Sequence, residues 1–364
     1  MKSRAMVLEA FGKPLVMREF EAPPLESGQL LVRMDAAGVC GSDIHIRKGG
    51  DPRTPLPIIP GHEGVGTVVD MAGDRFTVDG GTIAPGDRII WNRGVTCGKC
   101  WFCRVAKEPY LCPHRLVYGI NLSCSDPPYL NGCYAEHLVL RAGTDIFTVD
   151  GDIDPAVLVS ASCSGATVAH AFDEIGGGLA GTTVVVQGPG PVGAWAAAFA
   201  RRLGAERIFV IGGSVERLSL CRAFGATDIL DRHTKTPDER RAAVLDATAG
   251  RGADYVIEAV GRPGAAEEGI RLLRKGGVYL SIGYSQPTGI EKIDFYRDIV
   301  SKNVRVIGIW VSDAKHLRDA FSLAAAEPAL FARMITHRFD LGDADKALDA
   351  MADRKALKAV LTFP

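Results

Sequence analysis

Four cysteines crowd into a stretch of sixteen residues: Cys97, Cys100, Cys103 and Cys112 in TCGKCWFCRVAKEPYLC, spaced C-x2-C-x2-C-x8-C. Four thiolates at this spacing can surround one tetrahedral ion, and a closed four-sulfur set leaves no place for a substrate. The pattern predicts a structural zinc, with disulfides or an iron–sulfur cluster as the competing readings. A second set is dispersed: Cys40 in GVCGSDIH, His62 followed by Glu63 in PGHEGVG, and Cys163 in SASCSGATVAH. A lone Cys or His is more often a buried filler than a ligand. Here Cys40 and His62 each sit in a Gly-bounded turn, and Cys163 lies at the seam before the second half of the chain. Three protein ligands leave a fourth position open, as a catalytic zinc requires.

A third chemical signal lies in QGPGPVGAW, where Gly188, Gly190 and Gly193, with Pro191 and Val192 between them, form G-x-G-x-x-G. The motif follows an apolar strand and opens an Ala-rich helix. The first glycine permits a tight turn, the second lets backbone approach a pyrophosphate, and the third lets helix and strand pack closely. NAD is normally held by an acid about 20 residues on. Gly212 stands there instead, in Phe209-Val210-Ile211-Gly212-Gly213-Ser214, with Glu216 and Arg217 just after. Arg217 is a candidate for the adenosine ribose or its phosphate, or a solvated helix-surface residue. NAD and NADP both stay open.

The elements that must carry these residues divide along the chain. Up to about residue 155, short β-type runs such as QLLVRMDAAGV, GVGTVVDM and YAEHLVL are broken by Gly and Pro, which predicts an antiparallel, loop-rich unit. From about residue 182, TTVVVQG, RIFVIGG, ADYVIEAVG and GGVYLSIGY alternate with helical segments, and VRVIGIW looks like the last strand. That order predicts an α/β domain with a parallel sheet and right-handed crossovers. The end, KAVLTF, could return to the first domain. The expected division is 1–157 with 312–364, and 158–311.

Composition limits the partners. In 364 residues, 42 Lys+Arg face 43 Asp+Glu, for a net charge of −1, and no basic block suggests nucleic acid or an anionic membrane. No run approaches the ~20 apolar residues of a membrane span, and the N-terminus lacks the core of a signal peptide. A cytoplasmic protein with a small-molecule partner is expected, and nine clustered cysteines in a reduced compartment suit metal better than disulfides.

Taken together these motifs, in this order, resemble the zinc-containing medium-chain alcohol and polyol dehydrogenase family over essentially the whole chain. The resemblance implies a GroES-like β-rich catalytic domain plus a Rossmann nucleotide domain, two Zn2+ per chain, and NAD or NADP. It implies that Cys40, His62 and Cys163 bind the catalytic zinc, with Glu63 an occasional or exchanging ligand. Asp43 is similar to the carboxylate that orients the ligand histidine, and Ser42 and His45 match the family's proton relay. Short-range capping is the plainer reading of that polar run. Family members are commonly homodimers or homotetramers. Three departures stand out: the last cysteine interval is one residue longer than the family's x7, Gly41 replaces an Arg of some members, and Cys163 stands where polyol dehydrogenases have Glu.

The implied reaction is hydride transfer between an alcohol and NAD(P), giving the aldehyde or ketone. A polar or anionic alcohol such as a polyol, cyclitol, phosphonate or other polar secondary alcohol is one expectation, because Arg47 and Lys48 follow the relay turn and Trp91, Tyr118 and Asn121 lie in segments expected near the cleft. Solvent-facing loop charges are the other reading of Arg47 and Lys48. A zinc-containing dinucleotide-binding redox sensor or scaffold without turnover is the alternative function.

Overall fold

The structure, a computed structural model, describes residues 1–363. Contacts divide the chain into two compact units, Met1–Ala166 together with the segment from Ser312 on, and Thr167–Val311. The first division thus falls after Ala166, beyond residue 157. The helical turns Pro155–Leu158 and Val159–Ser162 pack against the strands Leu30–Gly38 and Glu63–Met71 of the first unit, so Cys163 comes with them.

The first unit is built on a seven-stranded sheet. Its central strand, Leu30–Gly38, is almost wholly buried, and pairs antiparallel with Glu63–Met71 along its length. On its other edge it pairs with His137–Leu140 near its start and with Lys358–Thr362 near its end. KAVLTF therefore does return to this unit. Arg88–Trp91 and Ile146–Thr148 extend the sheet on one side, and Ile335–Asp340 joins Lys358–Thr362 in parallel on the other. Gly38 is opposite both Glu63 and Val360, so three strand ends meet at one place. Cys40 follows the first strand, His62 precedes the second, and Lys358 opens the third.

The second unit is a six-stranded, all-parallel sheet with spatial order Asp228–Asp231, Arg207–Gly212, Thr183–Gln187, Ala253–Glu258, Leu273–Ser281, Arg305–Gly308. Numbered along the chain that is 3-2-1-4-5-6, the doubly wound dinucleotide-binding order. Apolar runs buried on both faces, such as Thr183–Gln187, read as continuous rather than alternating for that reason. The short polar-ended strand Asp228–Asp231 carries too weak a pattern for the sequence to announce. The glycine loop leaves strand 1, beside the point where the strand order reverses. Among the described residues no single helix is long and apolar enough to cross a membrane.

Candidate functional site

Cys40 sits at the N-cap of a helix, Gly41–Arg47, where the sequence suggested a turn. Asp43 creates that start. Its Oδ2 accepts the Cys40 backbone N–H at 2.8 Å and the Tyr134 hydroxyl at 3.2 Å, and its Oδ1 lies 3.2 Å from His62 Nδ1. One buried carboxylate therefore caps the helix and orients the imidazole. The opposite ring nitrogen, Nε2, is buried and has no hydrogen-bond partner. Around it, one donor atom each from Cys40, His62, Glu63 and Cys163 lies within 4.8 Å of every other. The Cys40 and Cys163 sulfurs are 3.9 Å apart. A tetrahedral ion with metal–sulfur bonds of ~2.3 Å needs sulfurs about 3.8 Å apart, so the set fits a zinc.

Electrostatics point the same way. Burial would lower the His62 pKa, but the charge and hydrogen bond of Asp43, then Cys40, push it up to about 10. A basic nitrogen with no hydrogen-bond partner, facing sulfur donors, suits a cation. The Cys40 thiol falls well below its usual value through the Cys163 hydrogen bond, which outweighs burial, aided by His62 and Lys358.

Glu63 does not stand alone. Lys358, 2% exposed, donates to its Oε2 and, at 3.1 Å, to the Val39 carbonyl. Gly38 makes room, since a Cβ there would collide with Glu63 Oε2. A lysine opening an apolar strand gives no sequence signal of such a contact. The expected relay residues, Ser42 and His45, lie half-buried on the same helix. Ser42 Oγ is 3.9 Å from Cys40 Sγ, and no direct hydrogen bond joins Ser42 to His45 among the described residues. Burial, more than the Cys40 charge can restore, holds the His45 pKa down, and Lys48 lowers it further.

Of the residues expected to meet a polar substrate, Lys48 is exposed, and Arg47, Trp91, Tyr118 and Asn121 are placed elsewhere. Arg47 pairs with Asp345 at 3.2 Å and Asp349 at 2.6 Å, which ties its helix to Ala344–Ala352. Trp91 is core. The Tyr118 hydroxyl bonds Thr144 and the Arg141 N–H, and Asn121 bridges Val117 N and the Arg115 carbonyl. These are structural uses.

In the cysteine lobe, adjacent sulfurs lie 3.5 Å (Cys100–Cys103), 3.8 Å (Cys100–Cys112) and 3.5 Å (Cys97–Cys112) apart. They too fit the edges of one tetrahedron. The long last interval is taken up by helical turns at Phe102–Ala106 and Pro109–Leu111. Backbone N–H groups of Lys99 and Cys100 pull the Cys97 thiol down to about 6.

The glycine loop is a cradle of the kind a dinucleotide needs. Gly188 has φ +102°, and a Cβ at Gly193 would collide with the Gly188 carbonyl, whereas one at Gly190 would meet nothing within 4 Å. Helix Pro191–Arg202 starts at Gly190 with no side-chain cap; Pro191 has no N–H, which leaves those of Val192 and Gly193 for an anion. The missing acid now has a cause. A Cβ at Gly212 would lie 2.5 Å from Pro189 Cγ and 2.9 Å from Leu218 Cδ2, so no side chain fits. Arg217 is in the first turn of Val215–Ala223, its N–H 3.4 Å from Ser214 Oγ. Arg232 and His233, which the motif search passed over, reach to 2.5 Å from where a Gly213 Cβ would be.

Residues 26–150 match the alcohol dehydrogenase GroES-like domain, and residues 191–326 match the zinc-binding dehydrogenase domain. A 5-exo-hydroxycamphor dehydrogenase of Pseudomonas putida is 34% identical, over 92% of this chain and 91% of its own. The crystal structure of an alcohol dehydrogenase from Thermotoga maritima matches with TM-score 0.98 and 49% identity, covering 100% of this chain and 99% of that one. A zinc-binding dehydrogenase of Sinorhizobium meliloti, solved with NADP, matches at TM-score 0.86 and 26% identity, covering 100% of both chains. These likenesses give no support to a sensor or scaffold without turnover. With a GroES-like unit, a Rossmann unit and two donor sets that fit zinc, the chain belongs to the zinc-containing medium-chain dehydrogenase family and is a zinc- and NAD(P)-dependent alcohol oxidoreductase.

Proposed function

We propose that this chain oxidises a small alcohol to its aldehyde or ketone, with Cys40, His62 and Cys163 holding the catalytic zinc, and Cys97, Cys100, Cys103 and Cys112 holding a structural one. The observation that carries this reading is the buried, unpartnered Nε2 of His62 among the sulfurs of Cys40 and Cys163 and the carboxylate of Glu63. Zinc bound there supplies a Lewis acid that lowers the pKa of a hydroxyl group, as it lowers that of water to ~7. NAD(P) at the glycine loop supplies the hydride acceptor. Alcohol and NAD(P)+ become aldehyde or ketone, NAD(P)H and one proton.

The protein's own residues orient the ligands and move that proton. Asp43 holds the Nδ1 proton of His62, which leaves Nε2 as the donor atom. Lys358 holds Glu63 and sets its availability as an exchanging ligand. Ser42 Oγ accepts the hydroxyl proton as it gives up its own, and His45, which has no direct hydrogen bond to Ser42 among the described residues, is the group that returns a proton to solvent. Its depressed pKa keeps the imidazole neutral and able to accept a proton at pH 7. NADP is the preferred acceptor in this reading: Gly212 leaves no acid for the ribose hydroxyls, while Arg217, Arg232 and His233 lie near that end of the loop.

The proposed working form is a cytoplasmic homodimer or homotetramer. Supporting this, the edge strand Arg305–Gly308 exposes Val306, and Phe295, Tyr296 and Val300 are exposed in the segment before it. None of the nine cysteines is in a disulfide, which suits a reducing compartment.

Elemental analysis of the purified protein, paired with reduced-cofactor absorbance across an alcohol panel, tests the reading. Two zinc ions per chain, turnover, and higher kcat/KM with NADP than with NAD are expected. Cys163→Ser should lose one of the two zincs together with turnover. A single zinc and no turnover on any alcohol would require withdrawing the catalytic assignment, and equal use of NAD would remove the NADP preference.

A further inference from the structure

Two buried arginines that no step above uses lie in the first unit, one of them against the catalytic donor set and the other next to the backbone that carries it. Arg93 is 6% exposed and Arg115 is 9% exposed. Arg93 Nη1 is 2.9 Å from Cys163 Sγ, yet its Nε is buried without a partner. Arg115 Nη2 donates to Asn92 Oδ1 at 3.4 Å and to the Ser312 carbonyl at 3.2 Å, and its Nε is likewise buried and unpartnered. Space for this second guanidinium is cut from the backbone next to the first: a Cβ at Gly94 would collide with Arg115 Nε.

No carboxylate pairs with either guanidinium among the described residues. Burial pulls Arg115 down to about 9, the like charges of Arg93 and Arg53 pull in the same direction, and Asp313 and Asp145 oppose them from beyond pairing distance. A buried charge without a counterion is expensive to keep. The Cys163 sulfur accounts for one nitrogen of Arg93, but among the described residues no carboxylate reaches Arg115, and Asp313 and Asp145 answer its charge only from a distance. Two such guanidinia, each with an Nε–H unspent, offer charge-assisted donors to a planar or tetrahedral oxyanion.

We propose that Arg93 and Arg115 form an anion-recognition subsite that selects alcohols bearing a carboxylate, phosphonate or sulfonate close to the carbinol carbon. This rests on the assignment of Cys163 to the catalytic set, because Arg93 touches that sulfur and so places the anionic group near the reacting carbon. Arg47 and Lys48, the cations that the sequence offered for such a substrate, are not part of the subsite. The reaction itself is unchanged: the carbinol C–H pair leaves as hydride to NAD(P)+, the hydroxyl proton goes to solvent, and the anionic group is a spectator.

The test compares 2-hydroxypropylphosphonate with neutral 1,2-propanediol on the zinc-loaded full-length enzyme. Binding is measured by calorimetry in the presence of NADPH, which cannot accept hydride, and oxidation is measured separately with NADP. The phosphonate should bind at least about tenfold more tightly than the diol, since charge-assisted hydrogen bonds exceed that factor. Arg115→Met should bring the ratio of the two affinities to about one, and Arg115→Lys should restore part of it. Equal affinities in the native enzyme, or a preference that survives Arg115→Met, would overturn the subsite. Oxidation of the diol without any phosphonate preference would leave the proposed reaction standing and remove only this inference. Preferential phosphonate binding with no oxidation of either alcohol would do the reverse.

Discussion

Glu63 and Lys358 show how much a single buried contact carries in this site. The pair is enclosed, Lys358 donates to Glu63 Oε2, and Oε1 has no hydrogen-bond partner. Removing one member leaves an uncompensated charge, which typically costs ~3–5 kcal/mol, while replacing both by uncharged groups costs much less. Lys358→Met should therefore destabilise the holoenzyme to urea by about that amount, and Lys358→Met with Glu63→Gln should recover most of the loss. A single variant within about 0.5 kcal/mol of the native protein would mean that the pair is not held as described. Arg47 makes the contrasting case. A cation two residues after His45 looks available in the sequence, but Asp345 and Asp349 claim it. Its task is to fix the helix that bears Ser42 and His45.

At the scale of elements, the strand–loop–helix at residues 183–202 separates two roles that one glycine motif usually blurs. Gly193 is required by packing, because its Cβ would run into the Gly188 carbonyl, and backbone cannot swing aside as a side chain can. Gly190 faces open space with extended backbone, φ −80° and ψ −173°. Gly190→Ala should cost no more than about 1 kcal/mol in unfolding measurements while weakening NADP binding in a fluorescence titration. Gly193→Ala should lower both, with ~1–3 kcal/mol lost from stability. Native-like NADP affinity in Gly190→Ala would show that this glycine is not where the pyrophosphate approaches. The same packing logic explains Gly212. Pro189 and Leu218 occupy the place an acidic side chain would need, so in the proposed reading the choice between cofactors would pass to Arg217, Arg232 and His233.

For the whole molecule, the parallel sheet of the second unit ends at Arg305–Gly308, and its outer edge has no partner strand among the described residues. Natural proteins cover such an edge or charge it. Here Val306 is 51% exposed, Phe295 72% and Tyr296 75%, which is the wrong chemistry for an edge left in water. Light scattering of the eluting peak should report a dimer or tetramer for the native protein and a monomer for Val306→Lys. A native monomer, or an assembly indifferent to that charge, would send the search for the interface elsewhere.

Sequence alone determined what depends on short spacing. The four lobe cysteines lie within one loop, the glycine motif lies between one strand and one helix, and the alternation of strand and helix after residue 182 reports the parallel sheet; each is written into neighbouring residues. It also placed Cys40, His62 and Cys163 as a set, through the chemistry of their types and the family resemblance. Tertiary structure alone decided the contacts made across long loops. Lys358 meets Glu63 from 295 positions away, Tyr134 meets Asp43 from 91, and Arg93 meets Cys163 from 70. No local pattern encodes such pairs, because each depends on which strand ends come together at Gly38 or which backbone gives way at Gly94. Whether a cation in the sequence serves packing or substrate, as Arg47 and Arg115 show, is settled by whether folding brings it a carboxylate.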